Sequence, residues 1–171
     1  SYGNGAAMRV SPVGWLFNEL PVVLEVAKLV TEVSHSHPEG IKGAQAVAMS
    51  VYLARKGGEP ESIREAIAEM FSYDMQRDVA LCRDEHIYNE TCQYCVPDAI
   101  ICAVEADSYE DAIRNAISLG GDADTLAAIT GGIAEALYGI PDTLIEDVAP
   151  YVRDELKPVI NQFYTEIAGN H

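Results

Sequence analysis

Residues 126–138 are apolar on nearly every side when the segment is drawn as a helix, and this feature limits the possible folds more than any other. A helix of this kind has no polar face to turn toward water, so it belongs at the centre of a domain. Within it, the pair Gly131-Gly132 costs roughly 1 kcal/mol per residue relative to alanine. We therefore expect a neighbouring backbone to pack closely against this pair.

Other segments repeat apolar residues at helical spacing, and together they predict an all-α fold. Aromatic residues make up only 8% of the chain and alanine recurs throughout, which favours packed helices over a sandwich or barrel. A length of 171 residues suits one core, so we predict a single domain over residues 1–171. The predicted helices are 20–33, 39–56, 60–71, 74–85, 98–106, 108–118, 126–138 and 142–148, with a last one from residue 151 that kinks at Pro158, whereas 1–14 and 86–97 are predicted to be irregular.

The segment 120–125, Gly-Gly-Asp-Ala-Asp-Thr, leads into the central helix. Two carboxylates and a hydroxyl, from Asp122, Asp124 and Thr125, are the hard oxygen donors that Mg²⁺, Mn²⁺ or Ca²⁺ prefers. The alternative is that Asp122 or Asp124 is an ordinary helix cap, but a cap needs only one of them. The spacing does not fit an EF-hand loop.

The charge of the chain excludes one class of partner. Eleven basic residues stand against 27 acidic ones, which gives a net charge of −16, and such a surface repels the phosphates of nucleic acids. A small phosphorylated ligand is not excluded, because a bound divalent cation reverses the local sign. No signal peptide is visible, and no apolar run approaches the roughly 18 residues of a membrane span. We expect a cytoplasmic protein with no membrane partner.

The four cysteines are Cys82, Cys92, Cys95 and Cys102, and the middle two have a C-x-x-C spacing. A zinc ribbon would need a second such pair, and a thioredoxin site would need a βαβ context. We therefore expect reduced, partly buried thiols.

Two polar segments near the start of the chain are candidate ligand contacts. Residues 2–5 are compatible with a simple turn, although glycine also lets a backbone approach phosphate or ribose closely. His35 and His37 lie two residues apart, but no further nitrogen or sulfur ligand completes a metal site. For Arg9 we favour a structural role over a contact with phosphate.

Residues 117–132 resemble the C-terminal metal motif of the ADP-ribosylglycohydrolase family. Residues 1–12 and 34–39 resemble two further signatures of this family, in the family's order. The resemblance implies an all-α, orthogonal multi-helix bundle with a centre of two Mg²⁺ ions, Mn²⁺ being the alternative. It also implies hydrolysis at the anomeric carbon of the distal ribose of ADP-ribose, attached to a protein or a small molecule.

The resemblance also implies site residues. The metal ligands would be Asp122, Asp124 and Thr125. The contacts to ADP-ribose would be Ser1, Tyr2, Gly3, Asn4, Gly5, His35 and Gly121.

One part of the family pattern does not occur in the sequence. Family members complete the metal site with a Thr-Asp-Asp cluster and an acidic residue near the N-terminus, and these 171 residues contain no Thr-Asp-Asp run. Two Mg²⁺ ions carry four positive charges, whereas the motif at 122–125 supplies two negative ones. The first signature begins at Ser1, so we expect the chain to be the C-terminal portion of a longer domain, with its catalytic acid in the missing part.

Three functions remain open from the sequence. The first is an ADP-ribosyl hydrolase that works only with the missing N-terminal part. The second is a non-catalytic module that binds ADP-ribose or a nucleotide, and the third is a structural protein like the family's lens-crystallin relatives. Missing helices would expose apolar surface, so we also expect self-association or pairing with the missing part.

Overall fold

Residues 1–85 and 89–169 are described by a computed structural model, and their regular structure is helical. Within this part of the chain the β-structure is a single antiparallel bridge between Gly3 and Thr91. The all-α prediction is therefore confirmed. The helices are α1 Ser11–Leu16, α2 Leu20–Glu32, α3 Pro38–Arg55, α4 Pro60–Phe71, α5 Val79–Glu85, α6 Cys92–Val104, α7 Tyr109–Ser118, α8 Ala123–Tyr138, α9 Asp142–Val148 and α10 Lys157–Gly169.

The centre of the fold is built from α3, α6 and α8, which pack against one another and against α1, α2, α4 and α7. Leu126, Ile129 and Ile133 of α8 are fully or almost fully buried, as the all-round apolar pattern of this helix predicted. They meet Ile100 and Ile101 of α6 in the same core. Burial of each such side chain contributes roughly 1.5–3 kcal/mol, so α8 is held in place mainly by packing.

The glycine pair in α8 is close to side chains rather than to a backbone, which corrects the expectation. A β-carbon at Gly131 would lie 3.1 Å from Ile113 Cδ1 of α7, and one at Gly132 would lie 2.7 Å from Ser11 Cβ of α1. The pair thus lets α7 and the start of α1 approach α8 from two sides.

Several predicted helix ends are confirmed by their capping residues. The Ser108 side chain accepts a hydrogen bond from the Asp111 amide at 3.2 Å and caps α7. Gly57 and Gly139 adopt the left-handed backbone, with φ of 82° and 72°, directly after α3 and α8. Glycine tolerates this conformation without a steric penalty, which is why the sequence signal at both ends was clear.

The first corrections concern segments predicted to be irregular. Within residues 1–14, a 3₁₀ turn spans Ala7–Arg9 and α1 begins at Ser11. Helix α6 begins at Cys92 rather than at residue 98 and contains Pro97. Proline lacks the N–H that would bond the carbonyl of Gln93, but Gln93 is exposed, so water can satisfy that carbonyl. Residues 86–88 of the segment predicted to be irregular lie outside the described residues.

Three other helices begin at different residues than predicted. Helix α8 begins at Ala123 rather than at residue 126, and α5 begins at Val79 rather than at residue 74. Helix α10 begins at Lys157, so Pro158 lies in its first turn and produces no kink there. Proline is well tolerated in a first turn because the N–H it lacks has no partner within the helix.

The C-terminal helices pack weakly on this core. The structure describes all of α9, and none of its residues is buried. In α10 the buried residue is Ile167, whereas Val159 is 65% exposed. The exposed fractions of Ile145 and Val148 in α9 are 51% and 55%. None of the described helices combines the length and hydropathy needed to cross a bilayer.

Candidate functional site

Two glycines shape the start of α8. Gly120 and Gly121 have φ angles of 78° and 64°, a left-handed conformation that side chains other than glycine adopt only with strain. The chain turns there and places Asp122 at the N-cap position of α8. Gly121 is exposed and Gly120 is half-buried, so this turn forms part of the surface.

The Asp122 carboxylate points to a distant part of the chain. Asn4 Nδ2 donates a hydrogen bond to Asp122 Oδ2 at 2.5 Å. Among the described residues, the Asp122 side chain makes no capping bond to the amides of its own helix. Asp122 thus occupies the N-cap position without capping the helix through its side chain. Asp124 is exposed in the first turn of α8, and Thr125 is buried.

Asn4 lies in a loop that pairs with the segment before α6. Its side chain is only 7% exposed, and its backbone N–H donates to the Glu90 carbonyl at 2.7 Å. The Cys92 amide donates in turn to the Tyr2 carbonyl at 2.9 Å, and these bonds form the bridge between Gly3 and Thr91. The paired backbones hold the loop at residues 1–5 against the N-terminus of α6.

The ring of His35 lies beside this loop and is oriented by two neighbours. Arg9 donates a hydrogen bond to Ser34 Oγ, and Ser34 Oγ lies 2.8 Å from His35 Nδ1. The serine oxygen can accept from both Arg9 and a protonated Nδ1, or its O–H can donate to Nδ1, so both neutral tautomers of the ring fit this contact. Partial burial, together with the nearby Arg9 charge, lowers the pKa of His35 and favours this neutral ring. Arg9 thus has the structural contact that we favoured.

Gly5 leaves room for His35 Nε2, because a β-carbon at Gly5 would lie 3.3 Å from that nitrogen. His37 has another position: its Nδ1 accepts from the Glu39 amide at 3.2 Å and caps α3. The Tyr2 ring meets the His37 ring edge to face, with 5.1 Å between their centroids. Ser1 is exposed, and its Oγ accepts from the Gly3 amide at 3.1 Å.

Two thiols of α6 contact the loop at residues 1–5. Cys92 Sγ donates to the Gly3 carbonyl at 3.3 Å, and Cys95 Sγ donates to the Asn89 carbonyl at 2.7 Å. Asn4 Nδ2 also donates to Cys95 Sγ at 3.4 Å. Burial raises the pKa of Cys92 to about 12 and that of Cys95 to about 11, so both remain protonated donors at neutral pH. All four cysteines are free and buried, in agreement with the prediction of reduced thiols.

The comparison with known proteins agrees with this arrangement. The sequence profile of the ADP-ribosylglycohydrolase family matches residues 1–171. The chain belongs to the ADP-ribosylglycohydrolase family.

Several curated proteins resemble this ADP-ribosylglycohydrolase chain at low identity. The ADP-ribosylhydrolase ARH3 of Homo sapiens is 29% identical, with 82% of this chain and 51% of the relative covered. The ADP-ribosylarginine hydrolase Tri1 of Pseudomonas putida is 28% identical, with 86% and 42% covered. The chain thus spans about half the length of these relatives.

A solved structure of an "ADP-ribosylglycohydrolase-related protein complex" has the same fold. Its TM-score is 0.74 at 20% sequence identity, and the match covers 97% of this chain and 59% of the other. The helical architecture of the family is therefore shown over nearly the whole chain.

The expected metal ligands of this ADP-ribosylglycohydrolase chain lie together at the start of α8. The oxygen donors of Asp122, Asp124 and Thr125 suit a hard divalent cation. Within the described residues, however, no group of three or more His, Cys, Asp or Glu side chains is arranged to hold a metal ion. Binding of a cation by these three residues remains a prediction.

A large apolar cavity lies elsewhere in the molecule. Its volume is about 1150 Å³, and α7, α8, α9 and α10 form its walls. The side chains that line it include Trp15, Ile113, Ile140, Leu144 and Ile160, and none of the predicted site residues is among them. We attribute this cavity to the loose packing of α9 and α10 rather than to the site around Asn4.

The segment 89–95 was missed as a wall of the site. The sequence did contain a signal, because a C-x-x-C pair and two polar residues, Asn89 and Thr91, come directly before a buried helix. That signal was set aside because it matched neither a zinc site nor a redox motif.

Proposed function

We propose that the chain is part of an ADP-ribosyl hydrolase that cleaves the glycosidic bond at the distal ribose of an ADP-ribosylated protein or small molecule. The contact between Asn4 and Asp122 carries this proposal, because it joins two separate family signatures in one site. The family match over residues 1–171 supports the same reaction class.

The metal ligands in this proposal are Asp122, Asp124 and Thr125, which would hold Mg²⁺, or Mn²⁺ in its place. A divalent cation at this position supplies positive charge that can fix ribose hydroxyls and lower the pKa of a water molecule. The net charge of −16 does not oppose a phosphorylated ligand once such a charge is present.

The remaining residues of the chain bind and orient the ligand. Asn4 donates a hydrogen bond to one carboxylate oxygen of Asp122, and the other oxygen is free to coordinate a cation. The Nε2 atom of His35 lies beside Gly3 and Gly5, where it can form a hydrogen bond with a ligand. Backbone amides of the loop at residues 1–5 can approach phosphate or ribose closely because glycine has no side chain.

Catalysis requires more carboxylates than this site supplies. Two divalent ions carry four positive charges, and Asp122 and Asp124 offset two of them. We infer that the other acidic ligands and the catalytic acid come from a segment like the one that the longer relatives have outside the matched region, or from another polypeptide. The exposed apolar face of α9 and α10 is the surface against which such a segment would pack, although a second copy of the chain is an alternative.

A second candidate function is a module that binds ADP-ribose without cleaving it. The observation in its favour is the incomplete group of acidic ligands within the described residues. Calorimetric titration of ADP-ribose in the presence of Mg²⁺ separates these functions from a crystallin-like structural role, for which we expect no heat of binding.

Release of ADP-ribose by the complete protein, with any upstream coding region included, tests the hydrolase proposal. We expect Asp124→Ala to lower the rate by at least about 100-fold, because a charged ligand is lost, while the protein stays folded. Asp142→Ala is the matched control, since Asp142 is also an exposed aspartate in the first turn of a helix. Full activity of Asp124→Ala would refute the metal assignment.

A further inference from the structure

The C-x-x-C pair has no role in the proposed reaction, yet both thiols contact the loop that carries Asn4. Cys92 bonds the carbonyl of Gly3, and Cys95 bonds the side chain of Asn4. Both cysteines lie in the first turn of α6, a helix that is buried along almost all of its length. The thiols therefore connect a rigid element of the core to a surface loop.

The hydrogen bonds around Asn4 fix which way its amide faces. The side-chain nitrogen has two hydrogens, and its acceptors are Asp122 Oδ2 at 2.5 Å and Cys95 Sγ at 3.4 Å. A carboxylate only accepts hydrogen bonds. The S–H of Cys95 is already directed at the Asn89 carbonyl, so the sulfur also acts as an acceptor toward Asn4.

Both neighbours of the amide thus require its nitrogen. If the amide turned over, its oxygen would face a carboxylate, which has no hydrogen to donate, and the Cys95 S–H could reach it only by leaving the Asn89 carbonyl. Nδ2 is therefore directed at Asp122, and Oδ1 is left as an acceptor for a ligand hydroxyl or a metal-bound water.

We propose that Cys95 is a positioning residue for the ADP-ribose site: by accepting a hydrogen bond from Asn4 Nδ2, it holds the amide in the orientation that fixes Asp122. Cys92 holds the same loop through its bond to the Gly3 carbonyl. The role of Cys95 in ligand binding rests on the hydrolase or binding function proposed above, whereas its role in orienting Asn4 does not.

Three variants of the complete protein test this inference. Cys95→Ala removes both hydrogen bonds of the thiol, and Cys95→Ser restores a group that can donate and accept. Cys102→Ala is the matched control, because Cys102 is a fully buried thiol two helical turns farther along α6.

We expect Cys95→Ala to weaken Mg²⁺-dependent binding of ADP-ribose about five- to tenfold, which is the size of effect expected from one lost hydrogen bond to a polar partner. Cys95→Ser should recover affinity to within about threefold of wild type, and Cys102→Ala should bind like wild type. In ¹⁵N NMR spectra, the Asn4 side-chain amide signals should shift in Cys95→Ala but not in Cys102→Ala. A general loss of packing would not give this pattern.

Unchanged Asn4 side-chain signals in Cys95→Ala would overturn the inference. Wild-type protein that binds no ADP-ribose would instead refute the proposed function, and the NMR comparison would still decide the role of Cys95. If Cys95→Ala does not fold, Asn4→Ala provides the reverse test. Because the hydrogen bond from Asn4 lowers the pKa of Cys95, we expect the pH dependence of Cys95 alkylation by iodoacetamide to move to higher pH in this variant, with Cys102 as the reference thiol. An unchanged pH dependence would also overturn the inference.

Discussion

Glu135 is a half-buried carboxylate that lines the cavity between α8 and α10. It lies in α8, and its Oε1 accepts a hydrogen bond from the Tyr164 hydroxyl of α10 at 2.5 Å. Burial raises the pKa of Glu135, and the Tyr164 hydrogen bond offsets this only in part. Burial and the same carboxylate also raise the pKa of Tyr164.

This raised pKa predicts how stability depends on pH. Above its ordinary pKa of 4.5, Glu135 loses its proton more readily in the unfolded chain than in the folded protein. The free energy of unfolding therefore falls as pH rises through the interval between the two pKa values. Glu135→Gln cannot titrate, so we expect the variant to gain stability relative to wild type between about pH 4 and about pH 7.

Urea unfolding at the two pH values measures this difference, with Glu146→Gln as an exposed control in α9. The control should show the same difference from wild type at both pH values. A Glu135→Gln variant that behaves like the control would contradict the raised pKa of Glu135.

Only some of the residue-level contacts could be predicted from the sequence. The motif at 120–125 and the loop at 1–5 were both expected to contribute to the site, but nothing in either pattern states that Asn4 touches Asp122. That contact joins residues 118 positions apart, and it depends on how α3, α6 and α8 pack. The hydrogen bond from Asn4 to Cys95 was missed as well. The thiol pair had been judged only against metal and redox motifs.

At the scale of helices, α6 and α8 are joined by buried hydrogen bonds as well as by apolar packing. Thr130 Oγ1 donates to the Ala99 carbonyl at 3.0 Å, and both residues are fully buried. At the C-terminal end of α8, the Tyr138 hydroxyl donates toward the carbonyls of Ala103 and Ala106 at 3.0 and 2.6 Å. These bonds fix the two central helices relative to each other.

The contribution of the Thr130 bond can be measured by removing the hydroxyl at nearly constant shape. We expect Thr130→Val to lower the free energy of unfolding by about 1 kcal/mol, because one buried hydrogen bond between helices is lost. Ser50→Ala is the control: the Ser50 hydroxyl is equally buried but bonds the Ala46 carbonyl within α3. If Thr130→Val and Ser50→Ala lower the free energy of unfolding equally in chemical denaturation, the hydrogen bond between α6 and α8 adds no stability beyond that of a bond within one helix.

The existence of most helices followed from the sequence, but several of their first residues did not. Apolar periodicity identified α2 and α3, and boundary residues identified α4 and α7, through the Gly-Gly and Glu-Pro pairs before α4 and the capping serine of α7. Helix α6 was predicted to begin at residue 98 because residues 86–97 looked irregular, although Pro97 leaves only an exposed carbonyl without a bond. Helix α10 was predicted to begin at residue 151 and to kink at Pro158, whereas Pro158 lies in its first turn. Whether a helix tolerates a proline depends on the exposure of the carbonyl that loses its bond, and sequence periodicity does not report this exposure.

For the molecule as a whole, charge and apolar surface act in opposite directions. The net charge of −16 makes copies of the chain repel one another, while α9 and α10 present exposed aliphatic side chains. Salt screens the repulsion, with a Debye length of about 10 Å at 0.1 M, and leaves the apolar attraction in place. We therefore expect the 171-residue chain to self-associate as salt concentration rises.

Sedimentation velocity at low and high salt tests this expectation. The double variant Ile145→Asp with Val148→Asp should remain monomeric, because it places charge on the apolar face of α9. The control is Ser62→Asp with Ala80→Asp, which adds the same charge at exposed positions on α4 and α5. A wild-type chain that stays monomeric at every salt concentration would contradict the predicted role of this face.

The bond between Asn4 and Asp122 also has a consequence for synthesis. A ribosome adds about 5–20 residues per second, so the 118 positions between the two residues correspond to roughly 6 to 24 seconds of translation. During this time the Asn4 side chain has neither its aspartate nor, at first, its thiol partner. The loop at residues 1–5 thus reaches its final set of hydrogen-bond partners only after the start of α8 has been synthesised.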